Sequence, residues 1–414
     1  MAVTAKRVVG AATIAVGAAF AYIVAHDGSP LWQIARLLLV CGVSWLAYGA
    51  IARGRAGARS GVMFAEGCVA VAVGIGIGLP HLAKTGLGLM TAAGLVALVA
   101  GLVLVGAGAT GLVRATPRWP RLLVVPAQLV VVLLVVWSLG QATAATNVAR
   151  SALGSITPGD VGLGYRDVEF DTTDGVTLSA WYVPSTNTAA VVLLHGAGST
   201  RSNVLDHAVV LAKHGYGVAM VDARGHGRSE GRAMDFGWYG DRDVAAAVSF
   251  LTAQPDVDPS RIAAVGMSMG GEEAIGAAAS DIRIRAVVAE GATNRVTADK
   301  AWLSDEYGWR GTLQRGVEWI LYNTADAFTA AGPPIALRDA AAAPRPMLLV
   351  AAGDEADEAE ADRYIQTGSP ESVEVWVVPG THHTAAIRTY PLEWERRVTA
   401  FLSSALNVAN DLGP

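Results

Sequence analysis

The stretch from Ala263 to Ala274, AAVGMSMGGEEA, contains a serine with a glycine two residues away on each side. A serine hydroxyl is a weak nucleophile that needs a base within hydrogen-bond reach. The G-x-S-x-G spacing is typical of a serine on a sharp turn between a strand and a helix. Because the chain has 47 glycines in 414 residues, the spacing alone proves little, and the interpretation of Ser268 depends on its surroundings.

Histidines are the candidate bases for this serine. His382 and His383 lie next to each other after the last apolar run of the chain, VEVWVVPG. Their late position suits the order serine, acid, histidine that is expected when the serine stands on such a turn. His195 ends an earlier apolar run, and we interpret it as a structural residue.

Carboxylates are present in excess after another apolar run, PMLLVAAG. One of them could hold the histidine in the required tautomer and orientation. The others suit the solvated start of a helix, where the dipole favours negative charge. The carboxylates of this segment are Asp354, Glu355, Asp357, Glu358, Glu360 and Asp362. Asp222, in DARGHGRS, is interpreted as a residue that braces a loop.

From about Ser151 onward, short apolar runs such as AAVVLLHG and GVAMVDARGHG alternate with helical patterns. Continuous apolar runs are typical of strands buried on both faces. Their alternation with helices predicts an α/β domain with a mostly parallel sheet and helices on both faces. A buried strand, Ile262 to Gly266, leads into Ser268, and a helix of small residues follows it. This context favours a nucleophile at Ser268.

These features together resemble the α/β-hydrolase superfamily, and most closely its serine aminopeptidase and dienelactone-hydrolase type. The resemblance covers Tyr165 to about Leu402 and rests on HGAG, DARGHGRS, GMSMGG and PGTHHT. It implies an α/β-hydrolase domain over residues 151–414. It also places the catalytic histidine just before Thr384, which selects His383 and leaves His382 as a solvated neighbour.

The resemblance narrows the choice of acid without fixing it. Family members usually place the acid about three residues beyond the glycine that ends the strand, which is Ala356 here, so this sequence departs from the pattern. Asp357 is the first choice, and Asp354 and Glu358 are the alternatives. The oxyanion hole is expected to use the backbone amides of Met269 and Ala197.

Residues 1–146 have a different character. The chain is 52% hydrophobic and only 16% charged, and nearly all acidic residues follow residue 159. A membrane-spanning helix needs about 20 mainly apolar residues. We predict an all-α transmembrane bundle of about five helices, at Val8 to Ala25, Leu31 to Ile51, Val62 to Leu79, Leu87 to Val113 and Leu122 to Leu139.

Basic residues predict how these spans are oriented. Lys6 and Arg7 precede the first span, and alternate loops carry Arg53, Arg55, Arg59, Arg114, Arg118 and Arg121. Basic loops face the cytoplasm, so an odd number of spans places the second half of the chain outside it. The prediction is an integral protein of a bacterial plasma membrane with an extracytoplasmic hydrolase domain. The net charge of −5 leaves no basic patch and argues against a nucleic-acid partner.

Glycines in the apolar region are interpreted as sites of helix packing. Gly106, Gly108 and Gly111 match the dinucleotide-binding pattern G-x-G-x-x-G, but no short strand precedes them. Gly74 and Gly78 have the small-xxx-small spacing that lets helices approach closely.

The sequence as a whole predicts a membrane-anchored serine hydrolase that cleaves an ester, thioester or amide through an acyl-enzyme. The expected substrate is a small or lipid-like acyl compound. No metal or other cofactor is implied, since no cluster of histidines and carboxylates has ligand spacing. The resemblance puts a possible lid at residues 294–344, with ordinary helical packing as the alternative. Two other functions stay open, an acyltransferase using the same triad and a membrane scaffold whose hydrolase fold has lost activity.

Overall fold

The computed structural model describes residues 2–24 and 30–408, and the chain divides into two compact units. The first unit consists of Met1–Ala149 together with Ile320–Phe328, and the second of Arg150–Trp319 and Thr329–Pro414. Each unit has hydrophobic clusters of its own.

The first unit is helical. Its helices are α1 (Ala2–Val24), α2 (Pro30–Arg53), α3 (Ala56–Val73), α4 (Leu79–Thr85), α5 (Leu89–Ala115) and α6 (Arg121–Thr146), and a π-helical turn at Gly74–Gly78 joins α3 to α4. Within the described residues, five helical stretches are long and apolar enough to cross a membrane: Arg7–Val24, Gln33–Arg53, Ala56–Thr85, Leu89–Ala115 and Arg121–Thr146. They coincide with the five apolar segments predicted from the sequence.

Glycines let α5 approach the rest of this bundle closely. A β-carbon on Gly94 of α5 would lie 2.4 Å from the Cα atom of Gly78, and one on Gly74 would lie 2.5 Å from Cβ of Leu98. Both glycines of the predicted pair therefore lie against α5. Gly108 is in the middle of α5, where a β-carbon would meet the backbone of α3. The dinucleotide-like pattern is thus part of a packed helix.

The second unit contains an eight-stranded sheet. The strands are β1 (Arg166–Asp171), β2 (Thr177–Val183), β3 (Ala190–Leu194), β4 (Gly217–Val221), β5 (Ile262–Met267), β6 (Ile284–Glu290), β7 (Met347–Ala352) and β8 (Val373–Val378). Their spatial order is β1-β2-β4-β3-β5-β6-β7-β8. Strand β2 is antiparallel to both of its neighbours, and all pairs from β4 across to β8 are parallel.

Helices cover both faces of this sheet. The helices from residue 205 to residue 406 are α7 (Leu205–Lys213), α8 (Gly240–Thr252), α9 (Met269–Ser280), α10 (Leu303–Tyr307), α11 (Trp309–Asp326), α12 (Leu337–Ala341), α13 (Ala356–Gln366), α14 (Ala386–Thr389) and α15 (Pro391–Leu406), and the part of α11 from Ile320 onward belongs to the first unit. Successive strand residues point to opposite faces. Val192 of β3 belongs to a hydrophobic cluster that includes residues of α8, α9 and α12, whereas Val191 belongs to a second cluster that includes residues of α7 and α15. The predicted fold class, a mostly parallel sheet between two helical layers, is confirmed.

The segment predicted as a possible lid, residues 294–344, contains α10, α11 and α12. Trp302 is buried in a cluster with Leu303 and Ala361, as ordinary helical packing would have it. Trp309, at the start of α11, is 74% exposed. A lid function for this segment stays a prediction.

Candidate active site

Ser268 lies on the turn between β5 and α9. Its φ of +53° and ψ of −124° are strained for a residue with a β-carbon. A β-carbon at Gly266 would lie 2.2 Å from the carbonyl oxygen of Gly270, so this approach needs glycine. The amide N–H of Ser268 donates to the carbonyl of Glu290 at 2.7 Å, which ties the turn to the neighbouring strand β6. The strand, turn and helix expected around this serine are all present.

His383 lies beside this serine. Its Nε2 atom is 2.9 Å from Oγ of Ser268. Its Nδ1 atom is hydrogen-bonded to Oε1 of Glu358. If Nδ1–H donates to the carboxylate, Nε2 is left free to accept the serine proton. The three side chains therefore form one continuous series of hydrogen bonds.

Glu358 is the carboxylate that reaches His383, which corrects the first choice of Asp357. Glu358 is 5% exposed, and its second oxygen accepts the N–H of Ala352 at 2.9 Å. Asp357 is exposed and accepts a hydrogen bond from the hydroxyl of Tyr307 at 2.9 Å. Asp354, the other alternative, is also exposed.

The direction of the α13 face explains this correction. Glu358, Ala361, Asp362 and Ile365 are all buried, and their spacing puts them on one side of the helix. Asp357 is one residue earlier, so its side chain points about 100° away around the helix. The seven-residue spacing of Glu358 from Ile365, about two helical turns, is the signal in the sequence that could have indicated the buried side of α13.

The environment of His383 favours its protonated form. The hydrogen bond to Glu358 is the main reason that the pKa of His383 is raised, and desolvation of the ring opposes it only in part. The negative charges of Glu272 and Glu290 act in the same direction as Glu358. An imidazole in this setting is a stronger base than a free one.

The other two histidines that the sequence singled out lie as predicted. The side chain of His382 is 79% exposed. His195 is buried, its Nε2 accepts the N–H of Ala223 at 3.0 Å, and its Nδ1 is 2.7 Å from the carbonyl of Gly196. Burial lowers the pKa of His195 to about 4, so this ring is neutral at pH 7. The hydrogen bonds of His195 link two loops, and none of them involves Ser268.

The two amides expected to form the oxyanion hole are near Ser268. Met269 is the first residue of α9, so its N–H has no acceptor within its own helix. Ala197 follows Gly196, where a β-carbon would lie 3.1 Å from Cβ of Ser268. Next in the loop, the N–H of Gly198 donates to Nε2 of His226 at 3.0 Å. Both amides thus belong to segments whose backbone is fixed beside the serine.

Asp222 braces the loops near the active site, as the sequence suggested. Its two carboxylate oxygens accept the backbone N–H groups of Arg201 at 2.8 Å and Arg228 at 2.9 Å. The guanidinium of Arg201 is fully buried 3.7 Å from the same carboxylate. The hydrogen bonds of Asp222 therefore hold the backbone of these loops in place.

Two positioning residues were missed in the sequence. Glu290, at the end of β6, is buried and accepts the N–H of Ala386 at 2.9 Å and the indole N–H of Trp394 at 3.2 Å. It thereby anchors the segment that follows His383, and burial raises the pKa of Glu290 to about 6. His226 supports the loop of Ala197 through Gly198. The signal in the sequence that could have indicated Glu290 is a carboxylate at the end of the apolar run AVVAE.

A cavity of about 340 Å³ opens beside Ser268 and His383. Much of its wall is polar, with side chains from the loop after β3, the turn before α7, α7 itself, the loop after β8 and α14. The lining includes Ser199, Asn203, Asp206, His207, Thr384 and Arg388. Within the described part of the chain, no group of three or more histidine, cysteine or acidic residues could hold a metal ion.

Comparison with known proteins shows a family that part of this chain resembles. The family model described as serine aminopeptidase, S33, matches residues 185–321, a stretch that includes the HGAG loop and Ser268. The second unit has the α/β-hydrolase fold. The predicted resemblance is confirmed at this level.

Individual relatives match the hydrolase unit over limited stretches. An uncharacterized protein of Mycobacterium tuberculosis is 40% identical over 116 residues, 27% of this chain and 41% of that protein. A thiohydrolase of Aspergillus aculeatus is 38% identical over 128 residues, 30% of this chain and 40% of that protein. An esterase of Pyrococcus furiosus of known structure is 28% identical, with a TM-score of 0.49, over 63% of this chain and 98% of that one. The chain thus spans about two fifths of the length of these curated relatives.

Proposed function

We propose that this chain is a membrane-anchored serine hydrolase in which Ser268, His383 and Glu358 act as a catalytic triad. The observation that carries the proposal is the series of hydrogen bonds from Oγ of Ser268 through His383 to Glu358. A serine needs a base in hydrogen-bond reach, and the base needs a third group that orients it. Ser268 is the proposed nucleophile, His383 the base and Glu358 the group that orients the base.

The reaction would proceed through an acyl-enzyme. Nε2 of His383 takes the proton of Ser268 as Oγ attacks the substrate carbonyl, while Glu358 holds the Nδ1–H and stabilises the imidazolium. The amides of Met269 and Ala197 donate to the oxyanion that forms. The intermediate collapses as His383 passes its proton to the leaving alcohol, thiol or amine. Water then attacks the acyl-enzyme by the same steps in reverse, and the acid is released.

The substrate is proposed to be an ester or thioester of a small acyl group. The thiohydrolase among the relatives favours the thioester class, and an oxygen ester presents the same carbonyl to Ser268. A cavity of about 340 Å³ lies near the lower end of the range for small-molecule sites, roughly 300–1,000 Å³. Its polar wall favours a short acyl group with a polar substituent over a long alkyl chain.

The membrane anchor is proposed from the five apolar helices of the first unit. Each is as long as a bilayer crossing needs, about 20 residues or somewhat fewer. The arginines between α2 and α3 and between α5 and α6 favour an arrangement with those loops in the cytoplasm and the hydrolase unit on the opposite side.

Trapping the acyl-enzyme tests this proposal and separates its variants. The full chain in detergent is mixed for a short time with matched p-nitrophenyl acetate, acetyl thioester and acetyl anilide, quenched in acid, and digested for mass spectrometry. An acetyl group on the peptide of Ser268 is the expected result, with the ester and thioester turned over faster than the anilide. If added alcohol takes up the acyl group in place of water, the enzyme is a transferase, and absence of any adduct or turnover would favour an inactive scaffold.

A further inference from the structure

A second cavity, of about 490 Å³, lies within the helical unit, between α1, α2, α3 and α5. Its volume is in the range of small-molecule binding sites, about 300–1,000 Å³. Much of its wall is apolar and built from Val9, Ile51, Met63 and Ala107, and Tyr48 also faces it. Small residues, Gly10 and Ala52 among them, leave the space open.

Two arginines line the same cavity. Arg59 is near the start of α3, and Arg114 is in the last turn of α5. These ends lie side by side, because a β-carbon on Gly111 of α5 would be 2.2 Å from Oγ of Ser60 in α3. The cavity therefore has a cationic end at the helix termini and an apolar wall that leads away from it.

Among the described residues of the helical unit, no carboxylate pairs with the arginines at this end. Up to residue 159 the sequence contains two carboxylates, Asp27 and Glu66, and Asp27 is outside the described residues; the segment Ile320–Phe328 of the same unit adds Asp326. Glu66 is seven residues beyond Arg59 on α3, which is about 10 Å along the helix axis. Among the residues that the structure describes, neither Arg59 nor Arg114 forms an ion pair.

We propose that this cleft binds an anionic phospholipid, with the phosphate on Arg59 and Arg114 and an acyl chain along Val9, Ile51 and Met63. The inference rests on the proposed insertion of the helical unit into a membrane, and it is independent of the chemistry at Ser268. Basic pockets between membrane helices on the cytoplasmic side attract anionic headgroups, and these arginines are on the side predicted to be cytoplasmic. A bidentate guanidinium matches the geometry of a phosphate.

The test is native mass spectrometry of the full chain in detergent, titrated with dioleoyl phosphatidylglycerol or dioleoyl phosphatidylcholine. Wild type should retain the anionic lipid in preference to the zwitterionic one. The pair Arg59→Gln and Arg114→Gln should weaken phosphatidylglycerol binding on the order of tenfold or more. Arg59→Lys with Arg114→Lys keeps the charge and should restore part of the binding. The matched control removes two charges from the same loops but outside the cleft, Arg55→Gln with Arg118→Gln, and should leave binding unchanged.

A separate experiment tests the role of the apolar wall. Ala107→Phe fills the cleft without changing charge and should also weaken retention of the lipid, while glycerol phosphate alone should not displace it. Equal loss in the Arg55 and Arg118 control, equal binding of both lipids, or full displacement by glycerol phosphate would overturn the proposal. Carbonate extraction of each variant reports membrane insertion, and acyl-adduct formation at Ser268 reports the hydrolase. A failure of the lipid site is therefore distinguishable from a failure of either.

Discussion

Nε2 of His383 lies 2.9 Å from Oγ of Ser268, although 115 residues separate the two in the chain. They meet because Ser268 follows β5 and His383 follows β8, and the carboxyl ends of parallel strands lie at the same edge of the sheet. Glu358, after β7, comes to this edge for the same reason. In an open α/β sheet this edge is where ligands bind.

The identity of the acid gives the first prediction. Glu358→Gln should reduce kcat for ester hydrolysis by about 10⁴, because the amide holds the wrong tautomer of histidine. Asp357→Asn is the matched control, since its side chain contacts Tyr307 and not His383. The measurement is steady-state hydrolysis of p-nitrophenyl acetate by the two variants, with circular dichroism to confirm folding. A crippled Asp357→Asn beside an active Glu358→Gln would reverse the assignment.

The adjacent histidines give the second prediction. His383→Ala should lose activity on the order of a million-fold, as the nucleophile variant does, because triad members act as a unit. His382→Ala should stay within about twofold of wild type, since the exposed side chain has no partner in the triad. The same hydrolysis assay decides it. Comparable losses in both variants would mean that the two histidines share the role.

The pH profile gives the third prediction. His383 is a base only when unprotonated, so kcat/KM should rise with pH through its pKa, which Glu358 raises above the ordinary value of about 6.5. Glu358→Gln removes the charge that favours the imidazolium. Its acid limb should therefore move to lower pH even though its maximal rate falls. Asp357→Asn should leave the limb in place, and a limb at higher pH in Glu358→Gln would contradict the role of the carboxylate.

Much of the fold could be predicted from the sequence because its signals are local. The runs around Val192 and Ala264 are short and apolar without interruption, which is typical of a strand covered on both faces. The turn at Ser268 is readable because its glycines are required by close backbone contacts. The five apolar segments were readable from length alone.

The features that could not be predicted depend on the direction in which a side chain points and on contacts between residues far apart in the chain. Asp357 and Glu358 are neighbours in sequence, and only the orientation of α13 separates an exposed side chain from a buried one. Glu290 contacts Ala386 and Trp394 about a hundred residues away, so its position at the end of an apolar run does not reveal which groups it binds. Ser60 packs against Gly111 beside the cavity that Arg59 and Arg114 line, and this contact is equally non-local.

Membrane topology gives the fourth prediction. A reporter enzyme that is active only outside the cytoplasm, fused after Pro414, should be active, because an odd number of spans follows a cytoplasmic start. The matched control carries the same reporter after Arg55, in the short basic loop between α2 and α3, and should be inactive. An inactive but well-expressed fusion at Pro414 would mean that one helix does not span.

The most direct measurement is labelling of the full chain in membranes with a fluorophosphonate probe, which reacts with an activated serine whatever the natural substrate is. Wild type should be labelled, with the adduct mapped to Ser268, and Ser249→Ala, which alters an exposed serine on α8, should be labelled equally. Ser268→Ala should show no labelling and should lose turnover on the order of a million-fold. Labelling that persists in Ser268→Ala, or a folded wild type that is never labelled, would contradict the assignment of Ser268 as the nucleophile.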